Sequence, residues 1–567
     1  MPKISPVKRL ILFLVCTMAS FLGSSQTNYT PTYDELLAEY RELSERFPEV
    51  CQLDSFGLTD RGLPLHAFLI NSKGVFQGDS IQDEVVLLIL NGIHPGEPCG
   101  INASLEFARE VVKSPDSNLT FCIIPAYNIG GMMNRGSYSR ANQLGPEAYG
   151  FRGNARNLDL NRDFIKADSR NTKAFYRLFQ EFKPHILIDT HTSNGADYQP
   201  TLTLLSTFPE NLESPVGDYL RKTMEPALYR AMKEKNQEVV PYVNVFGTTP
   251  DSGYKAFTDH PRYSTGYASL FNTIGFTTEA HMLKPFNDRV MATRQFLETI
   301  TEYAASNHRE IIDLKINADS LTKSREVALY NWKITEKADS IDFPGFKASK
   351  EKTSKVTGQK TLRYDRSAPY RKRIPYYAYH EAESEYQIPE YYILSGAWTE
   401  VIELLNLNKV VYEELDNDTT LEVEAIYISE YETIDRPYEG HFKHSDIATE
   451  YKREKIDFFS GDLIIPTNQA AKKYLAHVFN PKAADSFFSW NFFDSCLMQK
   501  EYFSSYVFDE TATEILNSNE DLKREFEEKR KSDPDFASNS RQQLDFIYKH
   551  SLYYEKTHRR LPVFEIR

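Results

Sequence analysis

The amino-acid sequence predicts an α/β protein in which a mixed sheet is flanked by helices. Short apolar runs of strand length recur from about residue 30 to residue 300, and amphipathic helical patterns lie between them. Strands that are buried on both faces read as continuous apolar runs, so these runs indicate a central sheet covered by helices. Polar residues follow directly after several of the runs, which is where open α/β sheets place their functional sites.

Helices and strands alternate along this part of the chain. A helical pattern covers Tyr33 to Phe47, and strand patterns follow at Leu65 to Ile70 and at Val85 to Leu90. The next predicted elements are a helix at Ala103 to Val112, strands at Phe121 to Pro125, Ile186 to Ile188 and Ile274 to Thr278, and a charged helix over 301–323.

The pattern changes in the C-terminal part of the chain. β-Favouring runs at Tyr391 to Leu394, Val410 to Leu415 and Leu421 to Ser429 predict strands, and residues 469–567 return to helical spacing. The basic stretch from Lys347 to Arg373 lacks helical phasing in an acidic chain. We therefore interpret it as a solvated hairpin or linker and not as a nucleic-acid patch.

Four segments are predicted along the 567 residues. Residues 1–25 form a secretory signal peptide, because basic residues precede a short apolar run that ends in small residues. Residues 26–320 form the main α/β domain, residues 321–375 a basic linker or hairpin, and residues 376–567 an accessory region that is strand-rich and then helical. The signal peptide predicts an exported protein, either periplasmic or secreted.

The composition excludes several classes of function. A net charge of −14 and a pI near 5.5 argue against a general binder of nucleic acid or anionic membranes. No later run is long and apolar enough to span a membrane, so no stable insertion is expected once the signal is removed. Cys51, Cys99, Cys122 and Cys496 are widely spaced and either form a disulfide or stay as buried thiols. The sequence leaves the oligomeric state open.

A histidine and a glutamate three positions apart follow the strand that ends near Leu90. His94 and Glu97 lie in a tight turn before the next helix, where an imidazole and a carboxylate can converge on one cation. Such HxxE pairs are common by chance, and an ordinary surface His and Glu is the alternative interpretation. His191 ends another apolar run and supplies a further nitrogen, and two His with one Glu are usual ligands of a hydrolytic zinc site.

Two further segments place charged groups where substrates could bind. The segment from Arg152 to Arg162 contains three arginines, and two guanidinium groups at a fixed separation can hold a developing oxyanion and a substrate carboxylate. A polar loop is the alternative interpretation. Glu279 ends a fourth apolar run and is placed to act as a general base for water, although a lone acid there could also be a helix cap or a surface group.

Together these motifs resemble those of the M14 zinc carboxypeptidases, which have HxxE, an arginine, a DLNR-type motif, a later His and a catalytic Glu. The resemblance covers roughly residues 30–300 and implies a mixed eight-stranded sheet flanked by helices, with one Zn²⁺ per chain. Matched position by position, it implies His94, Glu97 and His191 as zinc ligands, Arg152 as the group that polarises the scissile carbonyl, Asn161 and Arg162 as the pair that holds the C-terminal carboxylate, and Glu279 as the general base.

Two of these roles have competing residues. Arg156 competes with Arg152 for the oxyanion role, and the spacing to the DLNR-type motif favours Arg152. Tyr254, Tyr263 and Tyr267 all fall where the family has a tyrosine over the substrate, and Tyr263 is preferred. The preference for basic, acidic or apolar C-terminal residues is not readable from the sequence.

The resemblance implies a metallocarboxypeptidase that hydrolyses the C-terminal peptide or peptide-like amide bond of an extracytoplasmic peptide or peptidoglycan-type peptide, through a zinc-activated water and Glu279. Two alternatives stay open. The related aspartoacylase and desuccinylase group, which acts on N-acyl amino acids, shares HxxE and a DLNR-type motif, but those relatives look cytosolic and this chain carries a predicted signal peptide. A catalytically silent peptide-binding protein is the other alternative, and the intact Glu279 argues against it.

Overall fold

The computed structural model of the chain describes residues 28–567, so the predicted signal peptide lies outside the described residues. The described residues form two compact units. The first comprises residues up to Ile388 together with 403–410 and 468–477, and the second comprises 389–402, 411–467 and 478–567. The segment boundaries predicted at residues 320 and 375 stay predictions.

A mixed eight-stranded sheet lies in the first unit and confirms the predicted fold class. The strands of this unit begin with β1 (Cys51–Leu58), β2 (Pro64–Asn71), β3 (Val85–Asn91), β4 (Leu119–Ile124), β5 (Ile186–Ser193), β6 (Leu202–Ser206), β7 (Val240–Pro241), β8 (Tyr254–Lys255) and β9 (Ile274–His281). The sheet order is β1-β2-β4-β3-β5-β9-β6-β7, and β8 belongs to another sheet. The four central strands β4, β3, β5 and β9 are parallel to one another, so their carboxyl ends meet at one edge.

Helices connect and flank these strands. They are α1 (Tyr33–Arg46), α2 (Cys99–Val111), α3 (Ile129–Met133), α4 (Arg170–Phe182), α5 (Ser214–Tyr219), a π-helical turn at Leu220–Met224, α6 (Glu225–Glu234), α7 (Ser264–Ser269), α8 (Phe286–Ser306) and α9 (His308–Ser324). The first of them begins with a capping box, in which the Thr32 hydroxyl accepts from the Glu35 N–H and the Glu35 carboxylate accepts from the Thr32 N–H at 2.8 Å.

The core fills both faces of the central strands. All seven residues of β3 are buried, which explains why the sequence shows a continuous apolar run there. Leu87 and Ile89 belong to a large apolar cluster with residues of α1, α2, α8 and α9. Alternate residues such as Leu88 and Leu90 are equally buried and face the opposite side, because side chains alternate along a strand.

Two smaller sheets complete the first unit. The strands β10 (Val327–Ile334) and β13 (His380–Gln387) pair with each other, and β11 (Asp339–Ser349) forms a long antiparallel hairpin with β12 (Arg363–Tyr377). The short strand β8 joins this hairpin by pairing with the end of β12. The basic stretch from Lys347 to Arg373 therefore lies largely within the hairpin.

The second unit contains a six-stranded sheet and a group of helices. Its strands are β14 (Tyr391–Leu394), β15 (Glu413–Glu414), β16 (Thr419–Thr433), β17 (His444–Phe458), β18 (Leu463–Pro466) and β19 (Arg560–Ile566), in the order β15-β18-β14-β19-β16-β17. The remaining helices of the chain are α10 (Thr399–Leu407), α11 (Lys472–Phe479), α12 (Ser505–Ser518), α13 (Glu520–Ser532), α14 (Pro534–Ser538) and α15 (Ser540–Lys549). This region is strand-rich first and helical later, as the sequence predicts.

The four cysteines of the described residues are free thiols. Cys51, Cys99 and Cys122 are buried, and Cys496 is half-buried. Of the two alternatives that the sequence leaves open, the structure has the thiols. Within residues 28–567, no helix has both the length and the apolar character needed to cross a membrane.

Candidate active site

One cleft of about 390 Å³ lies at the carboxyl ends of the central strands in the first unit. All eight residues that the sequence analysis singles out line this cleft: His94, Glu97, Arg152, Asn161, Arg162, His191, Tyr263 and Glu279. They come from five separate stretches of the chain, and the parallel strands bring them together. The competing Arg156 does not line the cleft and instead donates to the backbone carbonyl of Asp168 at 3.3 Å.

A sharp turn after β3 positions the HxxE pair. Gly92 has a φ of +69°, and a Cβ at this position would lie 3.2 Å from the Ile101 side chain, so the turn favours glycine here. The Glu97 N–H then donates to the His94 carbonyl at 2.8 Å, which closes a tight turn just before α2. This turn directs the imidazole and the carboxylate to the same point.

Three buried side chains converge on that point. His94 Nδ1 lies 3.2 Å from His191 Nδ1 and 3.4 Å from Glu97 Oε1. His191 Nδ1 lies 3.1 Å from Glu97 Oε2. One possible ligand atom from each of the three lies within 4.8 Å of the others. Among the residues that the structure describes, this is the one cluster of at least three His, Cys, Asp or Glu side chains that is close enough to hold a metal ion.

A carboxylate lies next to the outward-facing nitrogen of each histidine. His94 Nε2 donates to Asp159 Oδ1 at 2.9 Å, and His191 Nε2 lies 3.0 Å from Asp189 Oδ2. The Ser264 hydroxyl donates to the same Asp189 oxygen at 2.5 Å and helps to orient it. A proton on each Nε2 leaves each Nδ1 lone pair facing the centre, which is the arrangement of a carboxylate–histidine–metal site.

The donor set fits the Zn²⁺ that the resemblance implies. Two imidazole nitrogens and one carboxylate are a common ligand set of catalytic zinc, which keeps a further position open. Two nitrogen lone pairs that face each other at 3.2 Å repel unless a cation or a proton lies between them. A cation held between them would therefore explain why His94, Glu97 and His191 are buried side by side.

The Glu97 carboxylate has two further partners. Arg140 Nη1 donates to Glu97 Oε1 at 3.0 Å, and the Thr192 N–H donates to Glu97 Oε2 at 2.9 Å. Arg140 is held in turn by Gln143, which accepts from its Nε at 2.7 Å. These contacts fix the carboxylate in the orientation in which it faces both histidines.

The pKa values of two triad residues, His191 and Glu97, are strongly shifted. Burial lowers the pKa of His191, but Asp189 and Glu97 raise it more, so that it lies well above the usual value. For Glu97, burial raises the pKa, but Arg140 and His94 lower it more, so that it lies well below its usual range. Without a metal these shifts favour an ionised Glu97 and a protonated His191.

These acidities predict that protons compete with the metal. A metal ligand must be a neutral imidazole, so zinc has to displace the proton of His191. Apparent zinc affinity is therefore expected to rise with pH, by about tenfold per unit while His191 remains protonated in the metal-free state. Competition with a chelator at several pH values would measure the slope, and calorimetry in buffers of different ionisation enthalpy would count the released proton. An affinity that stays constant between about pH 6 and pH 8 would contradict this protonation state.

Two arginines of the cleft, Arg152 and Arg162, form a cationic wall next to the triad. The Arg152 guanidinium donates from Nε to Asp159 Oδ2 at 3.0 Å and from Nη1 to His94 Nδ1 at 3.3 Å. The Arg162 guanidinium lies 3.9 Å from the same Asp159 oxygen and 4.7 Å from the centre of the Tyr263 ring. One carboxylate therefore sets the separation between the two arginines.

A short 3₁₀ turn supports this wall. Asp159 caps the turn Leu160–Arg162, because its Oδ1 accepts from the Asn161 N–H at 2.9 Å. The buried Asn161 Oδ1 has no hydrogen-bond partner among the described residues, although Asn161 lines the cleft. A polar amide so placed is available to a substrate.

The position of Tyr263 separates it from the two competing tyrosines. Tyr263 lines the cleft, whereas the Tyr254 hydroxyl donates to the Pro241 carbonyl at 2.9 Å and the Tyr267 hydroxyl donates to Asn408 at 2.7 Å in the interior. The latter two are buried and already bonded. Tyr263 is thus the one of the three that can reach a molecule bound in the cleft.

Glu279 lies across from His191 on the neighbouring strand. The two residues pair in register between β5 and β9, so both side chains point to the same face of the sheet. Burial raises the pKa of Glu279 to about 8, although the nearby His191 charge lowers it. A cation at the triad would lower this pKa further and favour the ionised form that a general base needs.

Sequence reasoning missed Asp189 and Arg140, and gave Asp159 no role. Asp189 could have been found, because it lies two positions before His191 on one strand and therefore shares its face. Asp159 could have been found from its place at the start of the DLNR-type turn, where an acid is a preferred cap. No local signal identifies Arg140, which comes from a loop whose course only the tertiary structure defines.

The sequence profile of the Peptidase M14 family, described as zinc carboxypeptidase, matches residues 36–188. The matched part contains both the HxxE turn and the DLNR-type turn, and it ends before His191 and Glu279. No curated protein sequence is significantly similar to the chain.

Several solved structures resemble parts of the chain. A metallo-carboxypeptidase from Burkholderia cenocepacia is 14% identical with a TM-score of 0.36, over 49% of this chain and 70% of its own. A metallo-carboxypeptidase from Pseudomonas aeruginosa is 13% identical with a TM-score of 0.36, and the match covers 48% of this chain and 68% of that protein. Carboxypeptidase A from Helicoverpa armigera is 14% identical with a TM-score of 0.35, and the match covers 54% of this chain and 82% of that protein. On the profile match and the triad, the part of the chain that carries the HxxE and DLNR-type motifs belongs to the M14 zinc carboxypeptidase family.

Proposed function

We propose that the protein is an exported, zinc-dependent metallocarboxypeptidase that removes the C-terminal residue of a peptide or peptidoglycan-type peptide. One observation carries this proposal. A single cleft contains a His-Glu-His triad, an acid placed to act as a base, and a cationic wall that can hold a carboxylate. These are the three parts that hydrolysis of a C-terminal amide bond requires.

His94, Glu97 and His191 would hold the metal in this reaction. When bound, Zn²⁺ supplies a Lewis acid that polarises the scissile carbonyl and lowers the pKa of water. The Glu279 carboxylate takes the proton of the attacking water and passes it to the leaving amine nitrogen. The Arg152 guanidinium donates to the oxyanion that develops on the carbonyl oxygen.

The other end of the wall recognises the substrate. Arg162 is mostly buried and carries a planar guanidinium, which can donate two parallel hydrogen bonds to the terminal α-carboxylate. Asn161 offers its amide to the same group. Tyr263 packs against the Arg162 guanidinium and covers this end of the cleft.

The two arginines are distinguished by their distance from the triad. Arg152 donates to a triad histidine, whereas Arg162 contacts the supporting carboxylate at a longer distance. This order supports a role for Arg152 at an oxyanion near the metal and a role for Arg162 at a substrate carboxylate further out. An amidohydrolase of N-acyl amino acids would use the same cleft for a smaller substrate, so activity must separate the two proposals.

Arg162→Ala is expected to slow cleavage of a free-acid peptide selectively. Removing one partner of a buried charge pair costs about 2 to 5 kcal/mol, which is about 30-fold or more in kcat/KM. The same substitution should leave the C-terminal amide of that peptide almost unaffected, because the amide does not make the ion pair. The measurement is the ratio of kcat/KM for acid and amide peptides in the wild type and the variant.

Two results would contradict carboxylate recognition by Arg162. The wild type would cleave the acid and amide peptides equally well, or the variant would slow both by one factor. Arg156→Ala is the matched control, since this arginine lies outside the cleft and should leave the ratio unchanged. If single N-acyl amino acids are hydrolysed faster than every peptide, the amidohydrolase function replaces the one proposed.

A further inference from the structure

The antiparallel hairpin of β11 and β12 ends in a strongly basic segment. The two strands pair as far as Ser349 and Arg363, and we call residues 347–363 the basic tip. The basic tip contains one acidic residue, Glu351, and six basic residues: Lys347, Lys350, Lys352, Lys355, Lys360 and Arg363. All six basic residues are exposed. Because the chain as a whole is acidic, the basic tip carries the opposite charge to the rest of the protein.

The basic side chains of the tip lack charge partners in the protein. Within residues 28–567 none of the six forms an ion pair, and Lys347 has only an attraction of longer range to Asp365. The stem of the hairpin is different, since Arg371 there bonds to Glu238 at 2.6 Å. Like charges within one Debye length of each other, about 10 Å at 0.1 M salt, repel. The basic tip is therefore able to bind an anion from outside the chain without breaking an existing ion pair.

The stem of the hairpin is fastened to two loops that line the catalytic cleft. The Tyr364 hydroxyl, directly after the basic tip, donates to the Thr248 carbonyl at 2.9 Å. The Arg366 guanidinium donates to the Leu283 carbonyl at 3.2 Å. Leu283 directly follows Met282, which lines the cleft. Both contacts fix the start of the basic tip at the edge of the cleft.

The loop that holds Tyr364 lies at the mouth of the cleft. Phe246, two positions before Thr248, lines the cleft and is 58% exposed, so it lies where the cleft opens to solvent. The basic tip continues for about six residues on each strand beyond the last pair of the ladder. At about 3.3 Å per residue it can reach about 20 Å from this mouth.

A bound peptide has to leave the cleft through the same mouth. If Arg162 holds the terminal carboxylate, the preceding residues run outward at about 3.3 Å each in an extended chain. Residues about four to eight positions before the C-terminus are then about 13 to 26 Å from it. This distance is comparable with the reach of the basic tip.

The composition of the basic tip favours acidic peptide over other polyanions. Residues 347–363 contain no aromatic side chain, which single-stranded nucleic acids need for base stacking. Val356 is the one exposed large apolar side chain within these residues, which is too little to insert into a membrane. The net charge of −14 also repels a long polyanion or an anionic membrane, whereas a short acidic segment needs only the local cluster of lysines.

We propose that the basic tip binds acidic side chains of the substrate upstream of the bond that is cleaved. The inference rests on the proposed carboxypeptidase function and names its substrate class, peptides with an acidic segment several residues before a free C-terminus. The ion pairs form far from the reacting atoms, so they stabilise the bound substrate and the transition state equally. They are therefore expected to lower KM and to leave kcat unchanged.

The test uses two peptides that share their C-terminal residues and differ upstream. One carries a run of glutamates about four to eight positions before the C-terminus, and the other carries glutamines there, which have the same shape without the charge. For the wild-type zinc enzyme at about 50 mM salt, kcat/KM is expected to be about tenfold higher for the glutamate peptide, through a lower KM. At about 1 M salt the two values should converge, because the Debye length falls to about 3 Å.

A variant of the basic tip removes three of its charges: Lys350→Gln, Lys352→Gln and Lys355→Gln. These side chains are exposed and make no ion pair with the described residues, so the fold should not depend on them. The variant is expected to bring the ratio of the two kcat/KM values to within about twofold of unity by slowing the glutamate peptide. The glutamine peptide should be cleaved as by the wild type.

A matched control variant changes the net charge equally with three exposed lysines outside the hairpin: Lys323→Gln, Lys531→Gln and Lys556→Gln. It should keep the wild-type ratio, because the preference depends on the position of the lysines and not on net charge. The salt series on the wild type tests the same point without any substitution.

Three results would overturn the inference or the function beneath it. If free-acid peptides are cleaved but the glutamate and glutamine peptides have equal kcat/KM, or the control variant loses the preference as fully as the tip variant, the inference is wrong and the carboxypeptidase function stands. If equal kcat/KM is accompanied by tip-dependent sedimentation with phosphatidylglycerol vesicles, the basic tip recognises a membrane instead. If the zinc-loaded protein cleaves no free-acid peptide, the proposed function fails and takes the inference with it.

Discussion

Glu279→Gln is expected to lower kcat by a factor of about 10² to 10⁴ while the protein keeps its zinc. The amide has nearly the shape of the carboxylate but cannot accept a proton from water. Glu279 is not one of the three converging ligands, so the metal site should stay intact. Glu97 cannot replace it, because its oxygens face the two histidines and accept from Arg140 and the Thr192 N–H.

The measurement is kcat on a peptide substrate together with zinc per chain. Glu225→Gln is a matched control, because Glu225 is a half-buried acid outside the cleft whose pKa is also raised by removal from solvent. It should change stability at most and leave kcat close to the wild-type value. Unchanged turnover in Glu279→Gln, with zinc present, would assign the base to a different group.

His191→Ala is expected to abolish both stoichiometric zinc and hydrolysis. Loss of one of three protein ligands removes a nitrogen donor and leaves Asp189 buried without the imidazole that it orients. The fold should largely survive, because the eight-stranded sheet and its apolar core do not depend on a metal. The expected result is a folded protein with a cooperative thermal transition and no bound zinc.

Zinc per chain after dialysis, activity and the melting curve would be measured together. His380→Ala provides the control, since His380 is a buried histidine that bonds to Thr258 at 3.0 Å and does not line the cleft. It should keep zinc and activity. Full hydrolysis by metal-stripped wild-type protein would contradict the role of the triad.

The central part of the fold could be predicted from the sequence because burial on both faces leaves a clear signal. The run Val85 to Leu90 became a strand that ends one residue later, at Asn91. The edge strand β1 was missed, since it is partly exposed and its residues do not form an apolar run. Strand β7 has only two residues, which is too short for any periodicity.

The C-terminal sheet was predicted less completely. The run at Leu421 to Ser429 lies within β16, but its partner β17 is rich in charged residues and carries no apolar pattern. Much of β17 is exposed, so pairing with the neighbouring strand determines its conformation more than burial does. The run at Val410 to Leu415 contains only the two-residue strand β15.

The candidate site shows the same division between local and non-local signals. Residues at strand ends, such as His191 and Glu279, could be predicted because parallel strands bring their carboxyl ends together. Arg140 could not, because a contact between a loop and a strand end leaves no spacing in the sequence. The group that orients Glu97 was therefore found only in the structure, whereas the residues assigned to the chemistry could be predicted from the motifs.

The shared carboxylate of Asp159 makes the two ends of the cleft thermodynamically dependent on each other. One of its oxygens accepts from His94 and the other accepts from Arg152 and lies near Arg162. A change of charge at His94 therefore alters the affinity of Arg152 and Arg162 for a bound anion. A bound anion alters the metal affinity of His94 by the same free energy, because coupling between binding sites is reciprocal. Under the proposed function, we therefore expect loss of the metal also to change the affinity of Arg152 and Arg162 for a bound anion.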